Sequence, residues 1–178
     1  MQEELRTYIL KDDGTFPNSQ LPVLHYVNSL ELPWLFRAMK VKRLFRKNGW
    51  TNNWRAGIYT YHHYHSNTHE ALAVIKGNTR LQLGGPDGPV IYIAVGDVIV
   101  IPAGVAHKNL QKENDVICIG GYPTGVDYDM NYGRPEERPR ADIAIAKVAL
   151  PHSDPLFGNY GPLVQTWNKI NHHRPNSH

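Results

Sequence analysis

Short apolar blocks separated by Gly, Pro, Asn and Asp run through most of the chain and read as a succession of short strands. Residues 5–11 form the first candidate, with Tyr8 and Leu10 alternating against polar neighbours, and Asp12-Asp13-Gly14 ends it as a turn. Leu21 to Val27 is the second; its His25 has no clustered partner and reads as a surface or core hydrogen-bonding residue. Residues 33–48 break the pattern. Leu35, Ala38, Met39, Val41, Leu44 and Phe45 give a helical apolar stripe, Pro33 suits a first turn, and Gly49 is a stop signal.

Beyond this helix the strands resume. Trp50 and Trp54 read as packing anchors. Gly77-Asn78 is expected to be a turn into a strand over 79–83, with Leu81 and Leu83 inward. Residues 84–89 are a strong turn signal, and 90–95 a returning strand. Val98 to Ile101 is continuously apolar, as for a strand covered on both faces, and Pro102-Ala103-Gly104 predicts a bend. After a polar loop at 112–115, residues 116–120 form the last core strand. The Tyr- and Asp-rich stretch 122–133 reads equally as a loop folded over a cavity mouth or as packing tyrosines. A linker at 135–140, a short helix or strand at 141–148, a loop at 151–158 and a segment at 162–170 docking Trp167 follow. His172, His173 and His178 belong to a polar tail read as mobile.

The chemistry concentrates in residues 57–77 and 96–111. Four histidines and a glutamate fall between His62 and Glu70, and His107 is added from the second stretch. On a strand, residues two apart share a face at about 6.6–6.8 Å. Tyr59, Tyr61, His63 and His65 then point one way, and His62 and Tyr64 the other. Ser66-Asn67-Thr68 turns the chain so that Glu70 returns beside the pair, and His107 closes the site from a distant strand. Three imidazoles and one carboxylate leave positions open on a metal taking five or six ligands, as chemistry requires. His69 should face away, although a bulge would flip it into the set.

These residues carry a resemblance to the cupin superfamily. Gly57, His63-x-His65, Glu70 and Gly77 match its first motif at every anchor. Gly96, Pro102-x-Gly104 and His107 match its second, after which the family places an Asn where this chain has Gln111, with Asn109 two residues earlier. The flanks 50–59 and 120–139 look like single-domain bacterial cupins of unassigned activity. The resemblance implies an all-β, jelly-roll barrel in which His63, His65, Glu70 and His107 bind a divalent transition metal: Fe, Mn, Zn or Ni. It also implies a metal-dependent enzyme of dioxygenase, decarboxylase or isomerase type, or a non-catalytic binding module. Tyr59, Tyr61 and Gln111 are the catalytic candidates; Asn109 and Arg55 are the substrate-binding ones, Arg55 as a partner for carboxylate or phosphate.

Composition narrows the setting. The 178 residues suit one domain: N-terminal strands and helix over 1–56, barrel core over 57–121, and an irregular covering arm over 122–178. A net charge of +3 is too mild to argue for nucleic acid. Arg37, Lys40, Lys42, Arg43, Arg46 and Lys47 make the helix basic, yet its aromatics do not interleave as a base-stacking platform would. A solvated face is therefore preferred to an anionic partner. The lone Cys118 lies in an apolar strand and fits a reducing compartment. With neither a signal-peptide pattern nor a membrane span evident, the expectation is a cytoplasmic homodimer with a small-molecule ligand.

Overall fold

The computed structural model describes residues 4–172; His173 and His178 of the polar tail lie outside them. Eleven regular elements follow in order: β1 (Glu4–Leu10), β2 (Ser19–Val27), α1 (Arg37–Lys47), β3 (Trp50–Ala56), β4 (Glu70–Leu83), β5 (Val90–Ala94), β6 (Val98–Ile101), β7 (His107–Asn109), β8 (Val116–Pro123), α2 (Arg140–Lys147) and α3 (Pro162–His172). The strand pairs are antiparallel, in the order β1-β2-β6-β4-β8-β3. The second half of β4 turns away from this path and pairs with β5 and β7. The strands preceding residue 57 are thus members of the sheet.

Side-chain alternation distributes the core over two faces. Ala71, Ala73, Val98 and Val100 pack with Val41, Phe45, Trp50, Leu163 and Trp167 on the helical side. Leu72, Val74, Ile99 and Ile101 pack with Val23, Leu81, Leu83 and Cys118 on the other. That is why 98–101 has no polar position: both faces are covered. Burial raises the Cys118 thiol well above its ordinary range, which leaves it inert.

Four expectations need correction. Gly77-Asn78 is not a turn: β4 runs through it, with a register irregularity against β8 between Val74 and Lys76. Gly77 has φ +70°, and a Cβ there would lie 1.8 Å from the Asp115 carbonyl oxygen, so its sequence signal marks a close approach. Residues 57–69 do not form a ladder; only His63 and Tyr64 make isolated bridges, to His107 and Asn131. The helix begins at Arg37, after a left-handed Phe36, and buries Val41 and Phe45 while leaving Trp34, Leu35, Phe36 and Met39 exposed. Last, the C-terminal arm contains two helices, making three α-helices among the described residues. The arm is held by Trp167 Nε1, which donates to the Pro22 carbonyl at 3.0 Å, and by Tyr26 Oη, which donates to buried Asp154 at 2.6 Å.

Asp97 organises the turn before β6. Its carboxylate accepts from the Asn28 and Ala94 backbone N–H groups at 2.8 and 3.0 Å, and meets His25 Nε2 at 3.0 Å. Burial alone would raise its pKa; the contact with His25 and the two N–H groups outweigh burial and hold it below the usual range. A depressed carboxyl contributes stability above its unfolded value of about 3.9, and loses it as pH falls through the folded value. Asp97→Asn is therefore expected to cost ~1–3 kcal/mol near neutrality. The gap to wild type should narrow between about pH 5 and pH 2. Urea unfolding across that range reads it; a gap independent of pH would refute the assignment.

Candidate metal centre

The segment 57–69 crosses from β3 to β4 without ladder pairing, and tertiary contacts place it. Gly57 packs against a 3₁₀ turn at Glu113–Asp115: a Cβ there would meet the Glu113 carbonyl oxygen at 2.1 Å. Asn109 N–H donates to the Tyr59 carbonyl at 2.9 Å. His63 and His107 exchange backbone bonds at 3.3 and 3.0 Å, and Gly104 N–H donates to the His65 carbonyl at 2.8 Å. The backbone is extended enough for alternation to persist. His63 and His65 turn inward; His62 and Tyr64 turn outward onto Phe16.

His63, His65 and His107 each present one ring nitrogen, all within 4.8 Å of one another, and all three residues are buried. Each ring uses Nδ1 on a backbone carbonyl: His63 on Tyr61 at 3.2 Å, His65 on Asp129 at 2.5 Å and His107 on Val105 at 3.3 Å. A carbonyl only accepts, so each Nδ1 carries a proton, and each neutral ring keeps its lone pair on Nε2. Glu70, the first residue of β4, places Oε2 3.5 Å from His65 Nε2 and 3.4 Å from His107 Nε2. This buried oxygen has no hydrogen-bond partner. Oε1 accepts from Tyr122 Oη at 2.9 Å, and Tyr122 Oη accepts from Trp54 Nε1 at 2.7 Å.

Burial, reinforced by His107, lowers His63 to about 3, so this ring is neutral near neutrality. For His65 burial opposes the charge, but Glu70 and the Asp129 carbonyl outweigh it and raise the ring above its ordinary value. Burial would raise Glu70 too; the neighbouring His65 and His107 instead hold it well below the usual carboxylate range. Three ring nitrogens within 4.8 Å of one another, with a carboxylate oxygen 3.5 and 3.4 Å from two of them, form a donor set that suits a divalent transition metal once the rings are deprotonated at Nε2. Glu70, His63, His65 and His107 are the residues that could hold one.

The residues after β8 cover this cluster. Tyr128 stacks on Tyr122 with centroids 4.9 Å apart and lies 4.9 Å from the His65 ring. Asp129 takes hydrogen bonds from the Ser66 N–H, at 2.7 Å, and from its hydroxyl. Glu137 anchors the far end by accepting from the Tyr132 and Gly133 N–H groups at 2.8 and 2.9 Å. Beneath lies a cavity of about 160 Å³ that reaches His63, His65, Glu70 and His107.

Residues 55–118, which span this cluster, match the cupin domain family. The chain is 42% identical over 170 residues to the uncharacterized protein YjlB of Bacillus subtilis, covering 95% of this chain and all of that one. The chain belongs to the cupin family. Among solved structures, this cupin resembles acireductone dioxygenase from Bacillus anthracis with cadmium in its active centre, at 13% identity and TM-score 0.39, covering 53% of this chain and 64% of that one. A mutant of Bacillus subtilis oxalate decarboxylase matches at 18% identity and TM-score 0.33, over 62% of this chain and 22% of that one. Likenesses this distant leave the chemistry to be read from the site.

Of the residues that the sequence singles out, the cupin brings His63, His65, Glu70 and His107 together. His69 lies outside the cluster: its Nδ1 accepts from the Ala103 N–H at 3.0 Å and its ring sits 4.8 Å from Trp167. Tyr59 lines the cavity, whereas Tyr61 stacks on it from outside at 4.9 Å. Asn109 is buried as a structural clip, its Oδ1 accepting from Thr79 Oγ1 at 2.5 Å and its Nδ2 donating to the Lys112 carbonyl at 3.1 Å. Gln111 and Arg55 are exposed and absent from the cavity wall. The inward position on β3 belongs to Trp54, because the strand ends at Ala56 and parity counted back from His63 does not survive the break. Sequence reasoning also misses Tyr122, Tyr128, Leu72 and Glu113 as lining residues. The aromatic stretch after residue 121 is the one signal for Tyr122 and Tyr128.

Proposed function

We propose that this cupin is a metal-dependent enzyme acting on a small oxygen-containing organic molecule, of oxygenase, decarboxylase or isomerase type. The sheet is read as a jelly-roll barrel, with the 14-residue β4 shared between its halves. The observation that carries the reading is the clustering of three buried histidine nitrogens within 4.8 Å of one another, their rings oriented by Nδ1 contacts to backbone carbonyls, with Glu70 Oε2 3.5 and 3.4 Å from two of them. Bound there, a divalent metal would supply Lewis-acid polarisation of a ligand oxygen or, with iron or manganese, dioxygen chemistry. The chain's own part is to orient the donors. Backbone carbonyls fix the three rings, and the Trp54–Tyr122 relay fixes Glu70. Tyr122, Tyr128 and Leu72 line the cavity with apolar surface, which limits water beside the donors.

The test is equilibrium dialysis against Mn(II), Fe(II), Co(II), Ni(II) and Zn(II), followed by elemental analysis and oxygen-uptake screening of the loaded protein. One ion per chain is expected; no retained ion from any of the five would sink the reading. Tyr122→Phe removes the donor to Glu70 Oε1 and strands Trp54 Nε1. It is expected to weaken metal binding roughly 10–100-fold, measured by chelator competition. A non-catalytic holder is the second reading. It is favoured by the lining having no carboxylate or histidine outside the four donors except Glu113. Retained metal without turnover on any screened substrate would select it.

A further inference from the structure

Resting on the proposed metal reading, we infer that the cavity takes a hydroxylated single ring that is otherwise uncharged or cationic, and discriminates against rings bearing a further anionic group. Size sets the first limit. The cavity holds about 160 Å³, close to the roughly 150 Å³ known to accommodate one benzene. A single ring fills the volume beside the donors, while a ring substituent, a fused second ring or a sugar chain extends from it past Tyr128 and Glu113 toward the opening.

The wall sets the second. It is built from Trp54, Ile58, Tyr59, Leu72, Tyr122 and Tyr128, and it includes no lysine or arginine. Arg55, the cation nearest in sequence, is exposed and pairs across the sheet with Ile119. The wall's strongest donors are already engaged: Trp54 Nε1 on Tyr122, and Tyr122 Oη on Glu70. The metal's positive charge is met by Glu70 and by the ring oxygens that bind it; a carboxylate on the far side of the ring would lose its hydration against the aromatic wall and meet no lysine or arginine there. It would also meet Glu113, which lines the cavity. A cationic substituent finds the opposite: aromatic faces and a carboxylate.

Three rings of one shape and different charge test this: catechol, dopamine and 3,4-dihydroxybenzoate. Binding is followed anaerobically by tryptophan fluorescence and calorimetry, on zinc-loaded and on metal-free protein. The expected order is dopamine at least as tight as catechol, with 3,4-dihydroxybenzoate at least about tenfold weaker than either. Glu113→Gln should narrow the span between dopamine and 3,4-dihydroxybenzoate. Binding of 3,4-dihydroxybenzoate as tight as catechol, or no saturable binding of any of the three, overturns the inference. Failure to retain zinc overturns the metal reading instead, and the charge order is then decided by the metal-free protein.

Discussion

His107→Ala is expected to yield a folded protein that no longer retains a divalent metal. His107 contributes its ring to the donor cluster, with its centroid 4.1 Å from that of His63, while its backbone N–H and carbonyl pair with His63. Alanine removes the ring and keeps the backbone pairing, so β7 should persist. Loss of groups that merely orient ligands costs about 10–100-fold in affinity; loss of a ligand should exceed the upper end of that range. Elemental analysis after dialysis should fall from one ion per chain to near zero, with an unchanged circular-dichroism spectrum. His62→Ala is the matched control, because His62 faces Phe16 at 5.5 Å and should leave occupancy intact. Full occupancy in His107→Ala would show that the ligand set is wrong.

The largest stability effect is expected at Gly77. Alanine there must hold φ +70° and place its Cβ 1.8 Å from the Asp115 carbonyl oxygen. The left-handed conformation costs about 1–2 kcal/mol for a side chain, and overpacking typically adds about 1–3 kcal/mol. The obstructing atom is backbone, next to the residue where β8 begins, and Gly77 pairs with Val116 in that ladder. It cannot withdraw without opening the pairing. Gly77→Ala should therefore lower stability by ~2–5 kcal/mol, about 4–20 °C in melting temperature for a chain this size. Gly14→Ala isolates the conformational part: Gly14 has φ +88° but open space around it. Equal losses in the two variants would mean that the close approach of Asp115 has no energetic weight.

The four side chains proposed as metal donors are singled out in the sequence, and for three of them the geometry is local. His63 and His65 share a face through simple alternation, and Glu70 begins the next strand after a short polar turn. Alternation survives although the expected ladder does not form, since a few backbone bonds to Tyr59, His63 and His65 keep the segment extended. The strands at 98–101 and 116–123 are equally plain, because covered strands need uninterrupted apolar runs, whereas 90–94 alternates between exposed Val90 and Tyr92 and buried Ile91 and Ile93. The glycines are anchors for a different reason than expected. Gly57 and Gly77 make room for the turn at 113–115, a contact between segments far apart in the chain.

What pattern alone decided, then, is the shared face of His63 and His65 and the β-rich frame, both products of alternation over a few residues; His107 joins them only through its backbone pairing with His63. Which side chains surround the donors was decided by tertiary structure. Trp54 rather than Arg55 faces the cavity because β3 stops at Ala56. Tyr122 faces it from β8, paired opposite Thr51, and Tyr128 closes it because the chain after β8 is pinned at Asp129 and Glu137. Asn109 is withdrawn because Thr79 and Lys112 claim its amide. Each outcome depends on contacts between residues distant in sequence, and side-chain alternation carries no information across such gaps.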